Sequence, residues 1–248
     1  MRRSISPALS LFFFTGAALF SVPAAHAVNW TYDGVAGSEE EWSNIDKKNA
    51  ACENGKEQSP VQIGYTKNES LPPLVFHYGE AKAHLQQKEY TLVADVQNDV
   101  TMTDKDKTYR LVEIRFHTPS EHEVLGRFWP LEIQMMHRNN DGKMLIVSVF
   151  ANKGASNPAL QPLLLHANDN TWLTDIAFNP QGFIPQKTGY YAYTGSLTIP
   201  PCTEGVEWRI FKEPITVSHN QIIDLEKITH RNARLLQPIY MRSILETD

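Results

Sequence analysis

Apolar and polar side chains alternate through the middle of the chain. From Leu111 to His117 the period is two, which predicts a strand with Glu113, Arg115 and His117 on one face. Leu131 to His137 repeats the pattern and places Glu132, Gln134 and Met136 together. Thr118-Pro119-Ser120, Gly126 and Pro130 punctuate the two runs. Neighbouring strands therefore aim two carboxylates, a guanidinium, an imidazole and an amide at one place, with Glu121 arriving from the turn. Such a group is either a solvated sheet face or a buried set whose members satisfy one another, because unpaired polar burial is costly.

The same reading predicts further strands at Leu74 to Tyr78, Tyr90 to Val96 and Val100 to Thr103, with Asp104 to Lys107 as a hairpin turn. Met144 to Phe150 is the most apolar run and reads as the most buried strand. Ala159 to Ala167 and Ile222 to Thr229 carry helical periodicity. Ser38-Glu39-Glu40-Glu41 reads as a helix N-terminus, a solvated turn rather than a binding patch, with Trp42 packing on the body. No repeat, low-complexity tract or linker interrupts the chain. Many short strands and few helices imply one mainly β domain, a mixed sheet with peripheral helices.

The N-terminus changes the picture. Met1-Arg2-Arg3 is basic, Leu9 to Val22 is mostly apolar, and Ala25-His26-Ala27 is a small-x-small triplet. These features predict a secretory signal peptide over residues 1–27, leaving one domain over residues 28–248. The competing reading is a membrane anchor, but the apolar core is short for a span of about 20 residues. Export, to a periplasm or the outside medium, is the expected localisation, with no membrane association after cleavage. The formal net charge is −5, and cleavage removes Arg2 and Arg3 and no acid. That acidity argues against nucleic acid or anionic lipid as a partner. Two cysteines, Cys52 and Cys202, make a disulfide the default in an exported chain, with two free thiols as the alternative.

Several stretches resemble the signature of the alpha-class carbonic anhydrases. They are FHTPSEH (116–122), LEIQMMH (131–137), YTGSLTIPPCTEGVEW (193–208), GKEQSPVQI (55–63) and RNARLLQP (231–238). The resemblance runs from about Trp30 to Arg242. It implies a large twisted, mostly antiparallel central sheet with a conical pit, and a Cys52–Cys202 link. It assigns Glu121 and Thr198 to a gatekeeper pair in which the carboxylate accepts the threonine proton. It makes His122 and Tyr193 buried polar supports, with Glu113 and Glu132 beside the metal-ligand positions. Met136, Ile146, Leu197, Val206 and Trp208 match the apolar wall of the substrate pocket, and Ile199 makes the rim more apolar. The proton-shuttle position aligns with Tyr90, and a phenol shuttles protons poorly at neutral pH.

The departures matter more. Family members hold zinc with three histidines, and the metal brings the pKa of its bound water to about 7. At the matching positions stand Arg115, His117 and Gln134, so only His117 is retained. A guanidinium cannot donate to a metal, and an amide oxygen is a poor zinc ligand. His122 matches a structural support, and His137, three residues from Gln134, faces the other way. No cofactor is therefore expected. Three functions follow. The first is a carbonic-anhydrase-related protein, without zinc or CO2 hydration, whose pit binds a small anion at Arg115 or scaffolds an unidentified protein. The second is a zinc hydratase with unusual ligands. The third is a binding module working outside the pit. Under the first, Arg115 is expected to pair with Glu113, Glu121 or Glu132.

Overall fold

The computed structural model describes residues 30–32, 37–88, 90–168 and 175–247; the signal-peptide reading over residues 1–27 lies outside them. Its central element is a 13-stranded mixed sheet. The strands that carry the argument are β1 (Thr91–Val96), β2 (Thr101–Asp104), β3 (Lys107–His117), β4 (Leu131–Arg138), β5 (Met144–Lys153), β6 (Tyr190–Ser196) and β7 (Glu204–Phe211). The neighbours β1-β3-β4-β5 run antiparallel, β5 and β7 run parallel, and β7 and β6 return to antiparallel. The expected strands are all present, with ends moved by a few residues. The run at 74–78 contracts to Val75–His77, and the buried run extends to Lys153.

A β-bulge sits between Leu111 and Glu113 on β3. It resets the alternation, so that Tyr109 and Leu111 join Ile114 and Phe116 in the main core behind the sheet. Leu131, Ile133 and Met135 of β4 and Leu145, Val147 and Val149 of β5 face the same core. Helices α1 (Gln161–Asn168) and α2 (His219–Thr229) cover it with Leu163, Leu164, Ile222, Leu225 and Ile228. α2 starts three residues before the predicted run because Ser218 and Gln221 form a capping box. α1 starts two residues later than predicted, with Pro162 in its first turn, where a missing N–H costs nothing.

His137 lies on this rear face, as alternation requires. It is fully buried, its Nε2 is 2.5 Å from the Tyr78 hydroxyl, and its Nδ1 has no hydrogen-bond partner. Burial pushes its imidazole down to about 3.

The N-terminal segment is pinned to the front of the molecule. Trp42 is fully buried and donates from Nε1 to the Thr31 carbonyl at 3.0 Å. The acidic turn is solvated at Glu40 and Glu41, as expected, but Glu39 departs from that reading. Glu39 begins a 3₁₀ turn, Glu39–Glu41, and its carboxylate accepts from Arg234 Nε, Leu235 N and Gln237 Nε2. Its partners lie almost two hundred residues away in sequence, beyond the reach of local pattern. A disulfide joins Cys52 to Cys202 across a sequence separation of 150. It ties this segment to the loop that carries Thr198 and Ile199. Among the described residues no helix is long and apolar enough to cross a membrane.

Two stability measurements test these features. The unfolded His137 takes up a proton near its ordinary value of 6.5, while the folded one resists until about 3. Stability is therefore complete above pH 6.5 and falls as the pH drops toward 3, by up to about 1.4 kcal/mol per pH unit. Denaturant midpoints at pH 7 and pH 5 should show this fall, and His137→Gln should reduce it; an unchanged slope in the variant would refute the assignment. Replacing both Cys52 and Cys202 with alanine should lower the unfolding free energy by about 2–5 kcal/mol, read by denaturant titration under oxidising conditions.

Candidate functional site

β3 and β4 set the site by register. His117 lies opposite Glu132, Arg115 opposite Gln134, and Glu113 opposite Met136. All three pairs face the front of the sheet. Ser148 on β5 lies opposite Gln134 and completes the row. Arg115, His117 and Gln134 are at most 5 % exposed, so the solvated-face reading does not hold.

Glu132 is the hub. Its Oε2 accepts from the main-chain N–H groups of Glu121 and His122, each at 2.9 Å. Its Oε1 accepts from His122 Nδ1 at 2.8 Å, Ser148 Oγ at 2.7 Å and Gln134 Nε2 at 3.2 Å. Burial pushes this carboxyl up, but the His122 ring and its main-chain N–H, together with the Ser148 hydroxyl, outweigh that and hold it down at about 2. The network continues from His122 Nε2 to the Tyr193 hydroxyl at 2.7 Å and on to Ser59 Oγ at 2.7 Å. Burial raises the Tyr193 phenol, which keeps it protonated. His122 and Tyr193 are thus joined to Glu132 in one buried hydrogen-bonded chain.

Glu121 is fully buried in the turn after β3. Its Oε2 accepts from Gln134 Nε2 at 2.7 Å and its Oε1 from Arg234 N at 3.0 Å. Thr198 lies in the loop after β6, almost completely buried, and among the described residues no hydrogen bond joins it to Glu121. The amide of Gln134 takes up one of the Glu121 oxygens instead.

His117 is held in one tautomer. Its Nδ1 lies 2.8 Å from the Asn232 carbonyl, which can only accept, so Nδ1 carries the proton. Nε2 is then left with a lone pair, buried and without a partner. Arg115 donates from Nε to Glu113 Oε1, which identifies Glu113 as the neutralising carboxylate among the three expected. Among the described residues no group of three or more His, Cys, Asp or Glu is arranged to hold a metal ion.

The apolar positions named above fall into two clusters. Met136, Ile146, Val206 and Trp208 form one buried cluster, with Leu197 packed against it. Ile199 departs from that set and packs with Trp30, Trp42 and Cys202. Tyr90 has a φ of 60° and packs tilted against Trp30 and edge-on against Tyr32, with ring centroids 5.6 and 6.2 Å away. Sequence reasoning gave Asn232 and Arg234 no individual role. Asn232 holds β3 through Thr118 N and the Phe116 carbonyl. Arg234 binds Gln58 Oε1 and the Ser59 and Cys52 carbonyls. Both lie in RNARLLQP, whose polar residues in an otherwise unpatterned stretch were the available signal.

Comparison with known proteins places this geometry. The family model described as eukaryotic-type carbonic anhydrase matches residues 37–247. A carbonic anhydrase of Pectobacterium atrosepticum is 32% identical over 234 residues, covering 92% of this chain and 95% of that one. Dioscorin dioA3 of Dioscorea japonica is 31% identical, covering 86% of this chain and 83% of its own length. Among solved structures, the Photobacterium profundum alpha-carbonic anhydrase matches with a TM-score of 0.79 and 34% identity, covering 87% of this chain and 99% of that one. A dioscorin complexed with ascorbate matches with a TM-score of 0.83 and 30% identity, covering 88% and 97%. The chain belongs to the alpha-class, or eukaryotic-type, carbonic anhydrase family.

Proposed function

We propose that this protein is an exported member of the family that has given up zinc binding and CO2 hydration and uses its pit to bind a small oxyanion. The observation that carries the reading is the pair Arg115 and Gln134, opposite each other on β3 and β4 where the family places histidines. Zinc does not fit this donor set. Of the three positions, only His117 offers an imidazole lone pair. Arg115 brings a permanent positive charge that repels a dication. The NH2 of Gln134 is engaged by Glu121 and Glu132, which leaves its carbonyl as a single weak donor.

The chemistry of the pit suits a different guest. The unpartnered Nε2 of His117 accepts a hydrogen bond, and the Arg115 guanidinium beside it, paired with Glu113, is a source of N–H donors. An anion that also carries a hydroxyl satisfies both, and bicarbonate and ascorbate each have that form. The ascorbate complex of a dioscorin supports the second. Glu121, His122, Tyr193 and Glu132 then serve folding and pit shape rather than catalysis.

A second reading, a zinc hydratase with unusual ligation, draws on one observation: His117 Nε2 is already in the tautomer a metal would require. Calorimetric titration separates the two. The protein should show no zinc binding at micromolar concentrations, while Arg115→His combined with Gln134→His should acquire it. Micromolar zinc binding by the unaltered protein would sink the proposal. Failure of the double variant to bind any metal would show that more than these two positions has diverged. In the same assay bicarbonate or ascorbate should bind, with a loss of about tenfold or more in Arg115→Gln.

A further inference from the structure

Beyond the pit, four residues further along β4 from Gln134 and so about 13 Å away at 3.3 Å per residue, the same face carries a second cationic place. Arg110 and Arg138 are direct partners across β3 and β4, and Thr101 on β2 lies opposite Arg110. The bulge at Leu111 puts Arg110 on this face. The turns on either side bring Asp99, Asn139 and Asn140 to the rim of a cleft of about 410 Å³. Asn139 stiffens its wall, since its Oδ1 accepts from Asp141 N at 3.0 Å and Lys143 N at 2.9 Å.

Like charges directly opposite on adjacent strands destabilise a sheet. In an acidic chain a carboxylate would relieve the pair cheaply. Yet among the described residues neither guanidinium lies within 4.0 Å of one, and Arg138 Nη2 only approaches Met144 Sδ at 4.0 Å. Asp99 is the single acid of the lining, so the cleft keeps an excess of positive charge. Two planar forks over one cavity match an oxygen-rich dianion, which accepts from both at once.

We propose that this cleft is an oxyanion site for a tetrahedral dianion of the phosphate or sulfate type, bridged between Arg110 and Arg138. It is independent of the pit and of what the pit binds. Calorimetric titration with inorganic phosphate, at fixed ionic strength, tests it on the unaltered protein and on Arg110→Gln, Arg138→Gln and Arg231→Gln. Saturable binding is expected, about tenfold or more weaker in either cleft variant and unchanged in Arg231→Gln. Both cleft variants should melt no lower than the parent without phosphate, because each removes a like-charge contact, so loss of binding will not reflect unfolding. Absence of saturable binding at millimolar phosphate would overturn the site. So would equal binding in the cleft variants, or an equal loss in Arg231→Gln, which would mark a general charge effect.

Discussion

The site depends on one buried carboxylate. Glu132 accepts from five donors, two of them main-chain N–H groups of the turn that follows β3. A fully buried carboxylate is tolerated only when its lone pairs are this well satisfied. Its satisfaction fixes the turn, and the fixed turn holds Glu121 and His122. Through His122 the constraint reaches Tyr193 on β6 and Ser59 near the N-terminal segment. Removal of any one donor leaves a buried group short of a partner, at about 1–3 kcal/mol each. This network gives Glu121, His122 and Tyr193 structural roles of their own.

Against that rigid support, the two departures at Arg115 and Gln134 have local consequences. Gln134 keeps a donor role toward Glu132 and adds Glu121. Glu121 thereby gains an amide donor, and its link to Thr198 is absent among the described residues. Arg115 is accommodated because Glu113 is two residues away on the same strand and the same face. The result is a set of paired charges and amides around one histidine nitrogen.

Much of this was legible in the sequence because a strand's period is short. The two-residue alternation through 113–117 and 132–136 put the five polar side chains on one face, and β3 and β4 place them there. It also turned His137 to the rear core. The bulge at Leu111 was not legible, because Leu111 and Val112 are both apolar and either one fits a buried face. Glu39 reads as solvent-facing in any local window, since Arg234 and Leu235, which bury it, come from the far end of the chain. Asn232 and Arg234 act through irregular backbone, where no periodicity marks a side chain's direction. The Ser218–Gln221 capping box was present in the sequence and lay just outside the apolar run that drew attention.

The central claim is that Arg115 and Gln134 replace a metal centre rather than adjust one. Elemental analysis of protein purified without chelator tests it most directly. The account predicts zinc far below one ion per chain, unchanged after incubation with zinc and desalting. A stoichiometric zinc ion surviving that treatment, with anomalous scattering placing it on His117 Nε2, would contradict the account and return the protein to the working hydratases.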